Sequence, residues 1–329
     1  MLLEPMTHEL FKGVFITVAF FLGSIFLPVI GVLISIFTPL PIIIYYYQYG
    51  RKVALQLIVI TTAVVTTVIL ALKIPSLFLY LMQLLLLGFI CGELLSNNFN
   101  IPKIIIVACI AALLLNAVTL YMFGSQRKIG IVDTLEKAIR KNFEHSVEQY
   151  KDRGVTEEQL KWLSESLDTM IPWLAKLFPA IITVATAIII WLNLIIAKHF
   201  LFLRLRQIPP PLQDLILWKT PDYLVWIPIA AGFGAILPTG SIKIVSYNVL
   251  LVMGAVYFFQ GLAIIAYYFE TRKTPRSIRF LAYFFIFFQQ ILTIVVSILG
   301  FMDVWANFRK LSENSGGNGD TQRTNNTVG

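Results

Sequence analysis

The sequence predicts an all-α polytopic bundle of transmembrane helices, eight or nine spans with an amphipathic helical hairpin between spans five and six. Three observations carry that expectation. Apolar residues make up 57% of the chain and charged residues only 13%, about half the ~25% charged share of a soluble domain. A water-soluble chain of 329 residues has too much surface for so few charges to cover. Uncharged runs recur at 13–50, 53–72, 74–92, 104–126, 177–197, 223–242, 244–269 and 280–302. A helix needs about 20 apolar residues to cross the ~30 Å hydrocarbon core, so most runs match one crossing. The net charge of +8 falls in short loops between these runs. It reads as membrane orientation, not as nucleic-acid contact.

The chain divides into residues 1–126, 127–171, 172–310 and 311–329. Glu4 and Glu9 precede Lys12, and no A-x-A-like site precedes a second polar stretch, so the first apolar run is expected to be retained. That run breaks at Thr38-Pro39-Leu40-Pro41, because neither proline donates a backbone hydrogen bond and each disfavours helix in the residue before it. One full helix is expected up to about Phe37, then a short one from Pro41 to Tyr49. Irregular backbone at membrane depth survives only where protein or a polar cavity covers it, and such segments bind solute in many transporters. An ordinary interfacial turn is the plain alternative.

The segment 127–170 holds 17 of the 44 charged residues. Val132, Leu135, Ile139, Phe143, Val147 and Tyr150 recur at helical spacing, and Gly154 is placed to end that helix. Thr156 with Gln159 reads as a capping box opening a second helix, whose stripe is Leu160, Leu163, Leu167 and Met170 or Ile171. The tail 311–329 is Gly, Asn, Ser and Thr with almost nothing apolar, a composition that does not fold alone.

Short-loop lysines and arginines set orientation. With nine spans and a cytoplasmic N-terminus, eleven fall inside (Arg51, Lys52, Lys103, Lys198, Arg204, Arg206, Lys219, Arg272, Lys273, Arg276 and Arg279) and two, Lys73 and Lys243, outside. The hairpin and the C-terminus then lie outside a bacterial inner membrane. A re-entrant break at 38–41 would move only the N-terminus outside.

Polar groups at membrane depth are the default functional candidates, since each is costly unless paired. Pro39, Pro41, Glu93, Asn116, Asn248 and Gln260 form the candidate substrate-binding set. Glu93 is the only acid inside a span, and it also lies close enough to its helix end to reach the interface. Asn193, Gln289 and Gln290 are further amides, and such amides commonly serve as interhelical glue. Ala19 and Gly23 stand at a small-xxx-small spacing that admits a close helix. Asp303 and Trp305 read as an interfacial anchor.

Cys91 and Cys109 form no metal or redox pattern, and His8, His145 and His199 are scattered. No P-loop, H-E-x-x-H, G-x-S-x-G, aspartate pair or voltage-sensor spacing occurs. Nothing points to an enzyme, a cofactor or a metal, and lipid is the expected surrounding partner.

Several short pieces resemble, in order, the YybS-like family of bacterial multi-pass membrane proteins, a family of unknown function. They are Thr38-Pro-Leu-Pro41, Tyr49-Gly50-Arg51, Thr220-Pro-Asp222-Tyr-Leu-Val-Trp226, Asn248-Val-Leu-Leu, Gln260-Gly261 and Gly300-Phe-Met-Asp303-Val-Trp305-Ala-Asn-Phe-Arg309. The resemblance marks Asp222, Gly261, Asp303, Trp305 and Arg309 as structural positions. More distantly, the first half is similar to the S components of energy-coupling-factor transporters. That implies six helices around a solute pocket, energised by a transmembrane coupling subunit with ATPases. The hairpin and three further spans after about 220 depart from that pattern. The expected function is binding or passing a small solute; the alternative is a membrane scaffold or assembly factor docking partners through 127–171.

Overall fold

The computed structural model describes residues 3–27, 30–127, 130–151, 157–213, 216–238 and 240–309. Among them all regular structure is helical. The chain forms two compact units, Met1–Gln213 and Asp214–Gly329. Gly154, Thr156 and the tail lie outside the described residues, as do the side chains of Val147, Tyr150, Gln159, Leu160 and Leu163.

The first unit begins with α1 (Leu3–Phe26), α2 (Ile30–Ser35) and α3 (Pro39–Tyr49). The expected uninterrupted helix to Phe37 is not found, because the chain leaves helix after Phe26. It then returns alongside α1. Gly31 packs on the carbonyl of Gly23, Phe20 and Phe37 rings lie 6.4 Å apart, and Tyr45 donates its hydroxyl to the carbonyl of Glu9 at 2.8 Å. Residues 30–49 therefore run antiparallel to α1, with a turn at 36–38 part-way along. The reversal therefore falls between α1 and α2, and the proline break lies inside the returning segment.

Gly50 turns α3 into α4 (Arg51–Ala71) at φ +82°, a backbone state that glycine enters without steric penalty. One stripe of α4, spaced four residues apart, is buried: Val53, Leu57, Thr61, Val65 and Ile69. The remaining faces are left for lipid, as an amphipathic stripe requires. Next come α5 (Ser76–Ser96) and α6 (Ile101–Arg127). On α5, a methyl at Gly88 would come within 3.0 Å of Ile42 and of the Pro39 carbonyl, and one at Gly92 within 2.6 Å of Tyr46. Two glycines one turn apart thus leave room for α3 to pack closely on α5.

α7 (Ile131–Lys151) is followed by α8 (Glu157–Leu205). The expected second arm of the hairpin is not a separate helix. It is the first part of a 49-residue helix that passes Pro172 and Pro179 without a break. At 1.5 Å per residue α8 is about 74 Å long, far beyond one crossing. Arg140 and Asp168 join α7 to this arm at 2.7 Å. α9 (Pro210–Gln213) closes the unit.

The second unit has α10 (Trp226–Ile236), α11 (Ser241–Thr271), α12 (Arg276–Phe288) and α13 (Gln290–Ala306), preceded by a 3-10 turn at Asp222–Val225. The run 223–242 was expected as a crossing, but its helix has 11 residues. It stops where Leu237 turns extended, ψ 140°, as the residue before a proline does. The run 280–302 is split as well. α12 and α13 meet at 102° around the extended Gln289, and Thr293 donates its hydroxyl to the freed Ile286 carbonyl at 2.7 Å.

Six helices among the described residues are long and apolar enough to cross a membrane, seven if the bent pair counts as one crossing. The expected eight or nine counted uncharged runs that the fold shortens or bends. Between 22% and 50% of each long span is buried inside the protein. The rest is apolar surface that only hydrocarbon solvates well.

Candidate functional site

The expected break in α2–α3 is clothed by protein. Asn193 of α8 donates Nδ2 to the Ile36 carbonyl at 2.9 Å, supplying the bond that the helix no longer makes. Ser35 and Tyr80 hydroxyls are 3.0 Å apart, and Ser35, Thr38 and Asn193 are fully buried. Thr38 Oγ1 and Asn193 Oδ1 have no partner among the described residues. Replacing Asn193 with alanine is expected to leave the Ile36 carbonyl unsatisfied and cost about 1–3 kcal/mol. Unfolding of the purified variant in detergent measures it.

Beside the break, α1, α3 and α8 enclose a groove of about 340 Å³. Phe15, Ile16, Phe20, Leu40, Pro41, Ile44 and Phe200 make it apolar, and Lys12 and Arg204 stand at its edge. Glu9 joins the two cations, 2.8 Å from Lys12 and 3.4 Å from Arg204. Arg204 also donates to Gln48 Oε1 at 3.0 Å.

The six candidate binding residues do not share one site. Pro41 lines the groove, whereas Pro39 is buried under Gly88. Glu93 accepts the Tyr46 hydroxyl and a bond from Asn97 Nδ2 at 3.3 Å. It therefore ties α5 to α3 and is half-buried. Asn116 donates to Gln83 Oε1 at 3.2 Å, joining α6 to α5. Asn248 donates to Ile244 in its own helix at 2.9 Å.

Gln260 belongs to a buried cluster in the second unit. Its Oε1 receives the Thr220 N–H at 3.2 Å and its Nε2 donates to Asp303 at 3.0 Å. Asp303 also faces Arg309 at 3.1 Å and accepts the Phe308 N–H at 2.9 Å. Arg309 reaches the carbonyls of Ile216 and Trp218 at 2.9 and 3.0 Å. Next to Gln260, Gly261 meets the Val296 carbonyl, and Gly300, one turn before Asp303, meets the Tyr257 carbonyl. Of the five structural positions, Asp303 and Arg309 thus pair directly, and Gly261 is at the close α11–α13 contact beside them. Asp222 is exposed and pairs with Lys219 at 2.9 Å, and Trp305 is 58% exposed. Asp303 is no interfacial anchor, because it lies within α13 and is 1% exposed.

Sequence reasoning passed over Glu9, Lys12 and Arg204 as site residues. The available signal was charge at the ends of apolar runs, which orientation already explained.

The family model described as "Predicted membrane protein (DUF2232)" matches residues 15–304. The uncharacterized protein YybS of Bacillus subtilis (strain 168) is 24% identical over 294 residues, covering 87% of this chain and 91% of that protein. No solved structure matches.

Proposed function

The chain belongs to the predicted membrane protein family DUF2232, and on that premise we propose that its first unit binds a small amphipathic solute and passes it through the membrane. The observation that supports this reading is the groove of about 340 Å³ whose wall includes Pro41, beside the broken segment. Its volume falls at the lower end of the ~300–1,000 Å³ typical of ligand sites. Five helices of this unit, α1, α4, α5, α6 and α8, are long enough to cross, and the broken α2–α3 segment, which is not counted among them, would have to serve as the sixth that the likeness to S components implies. A separate coupling subunit with ATPases is then the energy source. The setting is a bacterial cell membrane with the basic loops inside.

A thermal-shift screen of the protein in lipid nanodiscs, with vitamins, nucleosides, metal ions and amphiphiles, tests the proposal. A true ligand at 100 times its Kd is expected to stabilise by about 2.7 kcal/mol. Absence of any stabilisation, with a control transporter responding, removes the reading.

The length of α8 favours a second reading. The helix exceeds one hydrocarbon core by roughly 40 Å and carries α7 on that arm, a surface suited to docking a partner. Deleting 127–171 should then abolish a copurifying protein and leave the membrane helices folded. Unchanged copurification would exclude it.

A further inference from the structure

We propose that the groove of the first unit takes one acyl chain of an anionic bilayer phospholipid, with Lys12 and Arg204 holding the head, and that Glu9 is the built-in competitor for that head. The inference rests on the solute-binding reading and specifies the chemistry the groove selects.

The wall offers a ligand almost nothing but hydrocarbon: Phe15, Ile16, Phe20, Leu40, Ile44 and Phe200. A solute polar throughout would lose its hydration there without replacement bonds. An acyl chain loses none. The space, about 340 Å³, suits one chain better than two, and α1 is exposed at Phe15 and Ile16, so a second chain can remain in the bilayer.

The polar chemistry is gathered at the edge. Lys12 and Arg204 are about half exposed, with side-chain values of 47% and 44%, and so are within reach of a head group. Their two positive charges face one carboxylate, Glu9, which spans both. Among the described residues one positive charge is left uncompensated. A phosphate has enough oxygens to bridge the same two cations in place of Glu9, with Arg204 supplying fork-like donors. Arg51 follows α3 at this same end, the end that the basic-loop bias turns toward the cytoplasmic leaflet, where anionic lipids concentrate.

Native mass spectrometry of the detergent-purified full chain tests this directly, with phosphatidylglycerol, phosphatidylcholine of the same chains and inorganic phosphate as probes. Phosphatidylglycerol is expected to bind most tightly and inorganic phosphate not at all. Lys12→Gln and Arg204→Gln should each weaken phosphatidylglycerol about fivefold and leave phosphatidylcholine unchanged. Glu9→Gln should strengthen phosphatidylglycerol by a similar factor, a gain that misfolding does not produce. Ile16→Trp, filling the groove from its exposed side, should weaken both lipids. Equal binding of the two lipids, unmoved by the three charge variants, overturns the head-group assignment. If Ile16→Trp still weakens both in that case, the groove remains a binding site. If it weakens neither, the solute-binding reading falls as well. Binding of inorganic phosphate as tight as that of phosphatidylglycerol also overturns the proposal, since the chain would then contribute nothing.

Discussion

Replacing Arg309 with alanine is expected to destabilise the second unit by about 3–5 kcal/mol. The side chains of Arg309 and Asp303 are 0% and 2% exposed, so removing the guanidinium strands a carboxylate away from water. It also releases the carbonyls of Ile216 and Trp218. The loss should appear as a lower midpoint in denaturant unfolding, followed through tryptophan emission. A double variant, Asp303→Leu with Arg309→Met, should suffer less than Arg309→Ala alone, because it leaves no buried charge unpaired. An Arg309→Ala midpoint matching that of the unmodified protein would mean that the ion pair contributes nothing to the fold.

The second large effect comes from adding a single methyl. On α11, a Cβ at Gly261 would strike the Val296 carbonyl, whereas one at Gly254 would find no neighbour within 4 Å. Gly261→Ala must therefore push α13 away, since a backbone oxygen cannot rotate aside as a side chain can. Overpacking alone costs about 1–3 kcal/mol, and the displacement also threatens the 3.0 Å bond from Gln260 to Asp303. Gly254→Ala, in the same helix, should be stabilising by up to about 1 kcal/mol, from propensity alone. Thermal melts of the two variants side by side decide the matter. Equal melting temperatures would contradict the packing account.

The helical membrane class was legible because it depends on composition and run length, both one-dimensional quantities. What the runs could not convey was where a crossing reverses. The reversal between α1 and α2 was hidden because the stretch 13–50 contains no charge to mark a loop. Its available signals were Pro28, which cannot donate to a helix, and the glycines at 23 and 31. Conversely, Pro172 and Pro179, of a residue type that often ends a helix, lie inside α8. The hairpin's second arm therefore merges with a crossing. Gln289 marks the bend in the last run, yet nothing in its residue type distinguishes it from the neighbouring Gln290.

The site was legible in pieces. The resemblance picked out Gly261, Asp303 and Arg309 without revealing that the last two pair and that the first lets α11 and α13 close together. Their meeting depends on two helix backbones separated only by glycines, a tertiary fact. Pro41 lines the groove, but the charged edge was not foreseen. Lys12 and Arg204 are 192 positions apart in the sequence, and only the packing of α1 on α3 and α8 unites them.

A returning segment built in two pieces has a mechanical consequence. The first piece meets α1 where Gly31 abuts Gly23 and α5 where Ser35 reaches Tyr80, and the second meets α5 at Gly88 and Gly92 and α1 where Tyr45 reaches Glu9. Both neighbours are thus tied on each side of 36–38, so this knuckle is braced and a shift of α1 against α5 must strain it. The Asn193 amide across that knuckle is the pin, and drawing it costs one hydrogen bond in place of a whole turn of helix.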